Sequence, residues 1–506
     1  MPKTVAHIPP ALTAEEIEAK YESLFNEGLL AGGAPTRAMA FIQDIAGRLD
    51  PRVGATLLDN FRNFIVTNPS PESLAAALSD FAGFAIERGF SHVVERHEEE
   101  SAVARFGDFT GQVNGGGKSR TVLFIANTAY FGILREALYL KRRGHRVFLA
   151  SLNPPPADLA ALFAEIFDAI TDCAGSFRLM DRLLSAARAD LLHVQCMQWH
   201  YGLGRLVIER KGRAKAVCEF YDISSMIAPR ETLLRLWPAE AVDFDLAMER
   251  FIFQGADAVI TCYPEQVHGE IRERWDRAPP MLSFTSYPCP EFYAALEQKP
   301  RRRNGAIRTV YAGNIPPCDE NHPRQFFGHA TLWEGCEALL RQGINVDIFT
   351  DPYIPFDRRR PGYEDFNRML NEYPGFDILN GVRPDRLARR MAAYDFVLIN
   401  IYPDDVEGWR NEVANRNDLA TKFYSYLETG LPMISIDNVH RPQKLIKENG
   451  LGLVTPWREV GSIAGRIAEF DYRSAVENVG RYRDEWGMDR QIERLISFYD
   501  SLDSER

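Results

Sequence analysis

From residue 121 onwards the chain alternates short apolar runs with helical patterns. Thr121-Val-Leu-Phe-Ile-Ala126 reads as a strand, Phe131–Arg143 follows as a helix that stops at Gly144, and Arg146-Val-Phe-Leu-Ala150 is the next strand. Successive strands separated by helices pair in parallel, and the helices then cover both faces of the sheet. The sequence therefore predicts an α/β fold.

The alternation stops at a stretch rich in proline and charge, residues 288–304, and then begins again with Ile307-Arg-Thr-Val-Tyr311. A chain of 506 residues also exceeds what one hydrophobic core usually organises. We therefore predict two α/β domains of similar size, over residues 121–290 and 305–480.

The segments outside these two domains differ from them in composition and in hydrophobic pattern. Residues 1–106 carry successive helical patterns, the first opened by the capping box Thr13-Ala-Glu-Glu16, and predict an all-α module suited to oligomerisation or protein docking. Residues 107–120 are polar and glycine-rich and predict a linker. Residues 481–506 predict an amphipathic helix that packs back across the domains.

Composition excludes several classes of protein. The net charge of −11 argues against a protein whose main partner is nucleic acid, because phosphate neutralisation needs excess Lys and Arg. The N-terminus lacks the apolar core of a signal peptide, and no run approaches the ~20 apolar residues of a membrane span. We expect a cytoplasmic protein, with contact to the inner face of a membrane left open.

Four stretches of the second domain resemble the GT-B glycosyltransferases, in particular glycosyltransferase family 4 and its group 1 relatives. They are Val310-Tyr-Ala-Gly-Asn314, Leu379-Asn-Gly-Val-Arg-Pro384, Ala392-Ala-Tyr-Asp-Phe-Val-Leu398 and Thr421-Lys-Phe-Tyr-Ser-Tyr-Leu-Glu-Thr-Gly-Leu-Pro-Met-Ile434. The resemblance implies two facing Rossmann-like domains. It also implies transfer of a sugar from a nucleotide-sugar donor to a hydroxyl of a glycan, a lipid-linked glycan, a protein or a small molecule.

The resemblance assigns a donor site to the second domain. Gly313 and Asn314 match the turn that approaches the diphosphate, where the absence of a Cβ helps. Val382 and Arg383 match the loop that lines the nucleobase, and Lys422 matches a lysine that neutralises phosphate charge or polarises the leaving diphosphate, which makes it a candidate catalytic residue. The nucleotide-sugar is a substrate, so no cofactor is implied, and neither is a metal ion.

Two positions depart from the family pattern. Many retaining members carry a Glu-x7-Glu pair where this chain has Asn417 and Ser425, which hydrogen-bond but do not ionise. Tyr426, next in the chain, is expected to face either the same crevice or the core. These departures leave the donor preference and the stereochemical outcome open.

The first domain is expected to hold the acceptor. Asn127, Thr128 and Tyr130 follow its first strand, at the edge of the sheet where ligands bind. His200 is the candidate general base, although a lone histidine is more often structural, and Asp222 is a candidate for orienting acceptor hydroxyls.

Two other functions stay open beside sugar transfer. The departures at Asn417 and Ser425 are compatible with a catalytically inactive GT-B-like protein that acts as a binding or scaffold subunit. A nucleotide-sugar epimerase or a phosphorylase of the same architecture is the other alternative, but its expected carboxylate, histidine or cofactor-lysine signature is not clear in this sequence.

Overall fold

The computed structural model describes residues 106–503 with the exception of 118, 130, 157–158, 174–176, 199, 238, 276–278, 296–305, 319–330, 353–355, 400, 402–409, 418, 420–421 and 437–439. The all-α module predicted for the N-terminal region falls on residues 1–105, which lie outside this description.

The first α/β unit is built on a seven-stranded sheet in which every pairing between neighbouring strands is parallel. Its strand order is β3-β2-β1-β4-β5-β6-β7. Every residue of β1 and β4 is buried, as expected for central strands with helices on both faces. The strands are β1 (Thr121–Ala126), β2 (Arg146–Ser151), β3 (Ala169–Asp172), β4 (Leu191–Cys196), β5 (Lys215–Phe220), β6 (Ala258–Thr261) and β7 (Met281–Ser283).

Eight helices alternate with these strands, and the first of them is the helix predicted from the sequence after β1. They are α1 (Phe131–Arg142), α2 (Ala160–Ile166), α3 (Phe177–Ala186), α4 (Tyr201–Arg210), α5 (Ser224–Ile227), α6 (Arg230–Leu233), α7 (Ala239–Gly255) and α8 (His268–Glu273). Short 3-10 turns occupy Glu265–Val267 and Pro290–Phe292.

The second unit contains a six-stranded parallel sheet with the order β10-β9-β8-β11-β12-β13. Its strands are β8 (Arg308–Ala312), β9 (Asn345–Phe349), β10 (Phe376–Leu379), β11 (Phe396–Ile399), β12 (Met433–Ile436) and β13 (Gly452–Thr455). Its helices are α9 (Leu332–Leu340), α10 (Glu364–Glu372), α11 (Pro384–Met391), α12 (Glu412–Asn417), α13 (Lys422–Leu427), α14 (His440–Asn449) and α15 (Ile463–Glu469), with a 3-10 turn at Trp457–Ser462.

Two helices complete the described chain, α16 (Tyr472–Glu485) and α17 (Met488–Asp503). The last helix returns to the first unit and packs on α1. The backbone N–H of Met488 donates to the carbonyl of Pro288 at 2.7 Å, and a guanidinium N–H of Arg143 donates to the carbonyl of Asp489 at 2.9 Å. Its apolar face, with Ile492, Leu495 and Tyr499, is buried in the core shared by both units.

Residues 106–114 are helical, although the sequence predicted a linker from residue 107 onwards. Phe106, Phe109 and Val113 recur at helical spacing and are buried against the first sheet, with the ring of Phe109 edge-on to Phe148 at 6.0 Å. In the sequence these three apolar residues are separated by polar residues and glycines, so the apolar face of the helix was not recognised. Burial of the three side chains outweighs the low helix propensity of glycine.

The α/β architecture with two parallel sheets is thus confirmed for the part of the chain that the structure describes. Among the helices of that part, none is both long enough and apolar enough to cross a membrane.

Candidate active site

The turn after β8 brings Gly313 against the side chain of Lys422, which begins α13. Lys422 Nζ donates a hydrogen bond to the hydroxyl of Tyr311 at 2.6 Å and lies 4.3 Å from the centroid of the Tyr311 ring. Burial raises the pKa of Tyr311 well above its ordinary value, so the phenol stays neutral beside the ammonium group. The lysine is therefore held at the carboxyl edge of the second sheet.

Gly313 is needed at this turn for two reasons. Its φ of +151° is a conformation that side chains rarely adopt. A Cβ there would also stand 3.1 Å from the Tyr311 hydroxyl and 3.2 Å from Lys422 Nζ. The missing side chain thus leaves the ammonium group next to the backbone, as a site for a phosphate requires. Asn314, the next residue, is exposed, and its carbonyl accepts from the Tyr311 hydroxyl at 3.4 Å.

Val382 and Arg383 lie in the turn between β10 and α11, at the same edge of the sheet. Arg383 is fixed by a bidentate pair with Asp385, in which Nε and Nη2 each stand 3.0 Å from a carboxylate oxygen. Gly381 in this turn lies close to the end of β9, since a Cβ there would come within 2.2 Å of the backbone nitrogen of Pro352. The turn after β8 and the turn after β10 therefore flank the end of β9.

Ser425 and Tyr426 are buried, and of the two environments left open for Tyr426 its side chain lies in the core. The hydroxyl of Tyr426 donates to the carbonyl of Ala312 at 2.8 Å and accepts from the Ala312 backbone N–H at 2.9 Å, so this side chain ties α13 to β8. The hydroxyl of Ser425 accepts from Arg135 Nη2 at 3.3 Å. Both side chains position α13 from inside the protein because they face packed neighbours.

Asn417 forms hydrogen bonds within its own helix and with Arg441, a residue that the sequence did not single out. Its side-chain amide donates to the carbonyl of Val413 at 2.9 Å, and its own carbonyl accepts from Arg441 at 3.0 Å. The same nitrogen of Arg441 lies 2.8 Å from the carbonyl of Cys262 in the first unit. Arg441 lies in the first turn of α14, where a positive charge interacts unfavourably with the helix dipole. This uncommon position is the sequence signal by which Arg441 could have been noticed.

On the first unit, the loop after β1 places Asn127 beside His200. The side-chain oxygen of Asn127 accepts from the amide of Asn153 at 3.1 Å, which turns its nitrogen towards His200 Nε2 at 3.2 Å. This network assigns Nε2 as a hydrogen-bond acceptor and places the ring proton on Nδ1. Burial lowers the pKa of His200 to about 4, so its imidazole is neutral at physiological pH.

The remaining acceptor-side candidates are placed less closely together. Thr128 is partly buried next to Asn127, and Tyr130 lies outside the described residues. The backbone carbonyl of Asp222 accepts from the hydroxyl of Tyr201 at 2.5 Å, which holds the turn after β5. The neighbouring hydroxyl of Tyr221 accepts from Gln195 at 2.7 Å. Polar groups from the ends of β1, β4 and β5 thus gather at one edge of the first sheet.

No protein-family model matches the sequence, and no curated protein matches it either. Solved structures do resemble the fold. HepE from Anabaena in complex with UDP is 12% identical with a TM-score of 0.52, and the match covers 76% of this chain and 100% of HepE. HepE in complex with UDP-glucose is 10% identical with a TM-score of 0.52, over 74% of this chain and 99% of HepE.

These similar structures have the GT-B arrangement of two Rossmann-like units. The chain has the GT-B fold. The fold predicted from the four sequence stretches is thereby confirmed, while the assignment to family 4 stays a prediction.

In this GT-B chain a buried ion pair joins the two units next to the candidate site. Arg135 of α1 contacts Glu428, which follows α13, at 2.8 Å, and each side chain is only 1% exposed. The same carboxylate accepts the backbone N–H of Cys289 at 2.7 Å. Arg135 also donates to Ser425, so one side chain of α1 contacts both α13 and the residue that follows it.

Proposed function

We propose that this protein is a glycosyltransferase that moves a sugar from a nucleotide-sugar donor to a hydroxyl acceptor. The observation that carries the proposal is the ammonium group of Lys422 held beside the backbone of Gly313 at the carboxyl edge of the second sheet. The GT-B fold supports it, since ligands of parallel sheets bind at that edge. HepE, solved with UDP and with UDP-glucose, supports a uridine nucleotide as the first donor to test.

The proposed chemistry concerns the leaving diphosphate. When the sugar departs, negative charge develops on the phosphate oxygens, and a positive group already held in place stabilises that charge without further reorganisation. Lys422 supplies the positive charge, and the turn of Gly313 and Asn314 supplies backbone close to the phosphates. Val382 and Arg383, in the neighbouring turn, are proposed to line the nucleobase. In this scheme the nucleoside diphosphate is the leaving group, and the sugar is transferred to the oxygen of one acceptor hydroxyl.

The acceptor is proposed to lie against Asn127, Thr128, His200 and Asp222 on the first unit. His200 has the protonation state that a base needs, because its imidazole is neutral. Its Nε2 faces Asn127, so an acceptor hydroxyl would have to replace that contact before His200 could take its proton. The acceptor class remains a choice among glycan, lipid-linked glycan, protein and small molecule.

If His200 is the base, the pH profile of transfer is expected to lack a limb near the ordinary histidine pKa of about 6.5. The folded protein keeps His200 neutral at every pH above about 4, so kcat/KM should fall only as pH drops through that value. The measurement is kcat/KM against pH, with His200→Gln as the matched variant. A limb near the ordinary value that His200→Gln removes would show that the pKa of His200 is not lowered, whereas a transfer rate and a pH profile that His200→Gln leaves unchanged would contradict its assignment as the base.

One observation favours a second function, a non-catalytic subunit that binds nucleotide-sugars or other proteins. Asn417 and Ser425 stand where the paired carboxylates were expected, and the side chains of both form hydrogen bonds with other groups of the protein. Neither then supplies a charged group to a donor sugar. Nucleotide binding without turnover would favour this second function.

The first experiment is thermal unfolding in the presence of UDP, GDP, ADP, CDP and dTDP. A ligand that binds only the folded state raises the free energy of unfolding, by about 2.7 kcal/mol at 100 times its Kd. We expect one diphosphate to raise Tm clearly and the matching nucleoside to raise it less. Release of that diphosphate from its nucleotide-sugars, in the presence of cell-extract acceptors, then measures transfer. An unchanged Tm with all five diphosphates would refute sugar transfer and would also refute a non-catalytic subunit that binds nucleotide-sugars.

Several expectations from the sequence remain proposals beside this function. They are the domain limits 121–290 and 305–480, a cytoplasmic location with contact to the inner face of a membrane, and docking or oligomerisation through residues 1–106. Sedimentation of the full chain, alone and with anionic vesicles, measures the last two.

A further inference from the structure

Three ionisable side chains meet inside the first unit, away from the edge that carries the candidate active site. His193 lies on β4, Glu219 on the neighbouring strand β5, and Glu136 on α1, which covers that face of the sheet. In the strand register His193 stands opposite Val217, so Glu219, two residues further on, points to the same face. Their exposures are 0%, 3% and 0%, respectively.

The three side chains are close enough to share one ligand. Their potential metal-binding atoms all lie within 4.8 Å of one another. His193 Nε2 is 3.4 Å from a Glu219 oxygen, and His193 Nδ1 is 3.9 Å from a Glu136 oxygen. Two atoms bound to one tetrahedral ion at about 2.1 Å stand roughly 3.4 Å apart, so the spacing of Nε2 and the Glu219 oxygen already fits one ion, and the Glu136 carboxylate has to move towards Nε2 to complete the site.

Several polar atoms of these three side chains also lack hydrogen-bond partners among the described residues. Both oxygens of Glu136, the Nε2 of His193 and one oxygen of Glu219 have no hydrogen-bond partner among the described residues. Buried polar atoms are normally paired, and buried charges are normally compensated. Two such carboxylates therefore need either a shared proton or a cation.

A fourth residue orients the imidazole. The hydroxyl of Tyr499, on the terminal helix α17, lies 2.6 Å from His193 Nδ1. Histidines that bind metals commonly donate their second ring N–H to a neighbouring oxygen, which leaves the other nitrogen free for the metal. Here that arrangement leaves Nε2 directed towards Glu219.

We propose that Glu136, His193 and Glu219 bind one divalent transition-metal ion, with Zn²⁺ or Mn²⁺ as the chemical class that an imidazole and two carboxylates suit. The ion compensates both carboxylates and takes up the unpartnered atoms. Because its ligands come from α1, β4 and β5, and Tyr499 comes from α17, it fastens the terminal helix and α1 to the sheet. It is a structural site, separate from sugar transfer at the sheet edges.

The test begins with metal content. The full chain is produced in medium supplemented with zinc, manganese or cobalt, and the bound metal is measured by mass spectrometry. We expect about one ion per chain in the wild type. Glu136→Gln and Glu219→Gln should lose most of it. The matched control is Glu249→Gln, which changes an equally buried carboxyl that instead hydrogen-bonds Ser225, and it should keep the ion.

Two further measurements keep the test independent of variant folding. Cobalt in the wild type should show the visible absorption of a nitrogen and oxygen site. Wild-type protein incubated with dipicolinate should lose the ion and unfold at lower temperature, and added Zn²⁺ should restore its Tm. Metal-free wild-type protein whose Tm does not respond to added metal would overturn the proposal. Undiminished metal in a folded Glu136→Gln or Glu219→Gln variant would overturn it as well.

Discussion

Glu428→Gln is expected to lower the free energy of unfolding by about 3–5 kcal/mol, the usual cost of removing one partner from a buried ion pair. Arg135 would remain 1% exposed without the charge of the Glu428 carboxylate, and a guanidinium group does not adapt to that loss by giving up a proton. The backbone N–H of Cys289 would also lose its charged acceptor. The measurement is chemical denaturation of the full chain, followed by tryptophan fluorescence.

The matched control is Arg473→Ala, which removes an ion pair with Glu477 that is 91% exposed on the arginine side. That variant is expected to change stability by less than about 1 kcal/mol. Adding Arg135→Met to Glu428→Gln should recover part of the loss, because no unpaired charge then remains in the core. Equal stability of Glu428→Gln and the wild type would show that the interface does not depend on the charge of Glu428.

Lys422→Ala is expected to lower the rate of sugar transfer by about 10²–10³-fold, the usual effect of removing one group that stabilises transition-state charge. The ammonium group stands at Gly313, where the proposed diphosphate leaves. The affinity for the nucleoside diphosphate should fall too, while the fold should persist, since Lys422 is only partly buried. Steady-state kinetics with the donor found in the diphosphate screen, together with calorimetric titration of its diphosphate, measures both effects.

Lys444→Ala is the matched control, because it removes an equal charge from an exposed position of the same unit, 70% exposed and paired with Glu448. It should leave both transfer and binding unchanged. Lys422→Arg should retain part of the affinity, since it keeps the charge in a different geometry. If Lys422→Ala binds and turns over like the wild type, the assignment of Lys422 to the diphosphate is wrong.

Local patterns were sufficient to predict two parallel sheets covered by helices, although not every strand and helix of them. Strand β1 and helix α1 follow from apolar runs and spacing that are read within a few residues. The helix over 106–114 was missed because its three apolar residues stand among glycine and polar residues, and the packing that stabilises it comes from distant strands. Its stability is tertiary rather than local.

The candidate donor site was predictable in part. Gly313 and Lys422 belong to stretches that carry the family resemblance, and the structure places them side by side. Ser425 and Tyr426 belong to the same stretch, but no local pattern states which face of a short helix is covered. Ser425 meets Arg135, which is 290 residues away in the chain, and Tyr426 meets Ala312, 114 residues away.

The sequence by itself determined the α/β class, the two successive units, the GT-B resemblance and the lysine at the head of α13. The tertiary structure alone decided that Arg135 meets Glu428 and that Glu136, His193 and Glu219 converge under Tyr499. Hydrophobic periodicity is a property of neighbours in the chain, so a sequence displays it directly. Contacts between charged groups on different elements depend on how those elements pack, and no spacing in the chain encodes that distance.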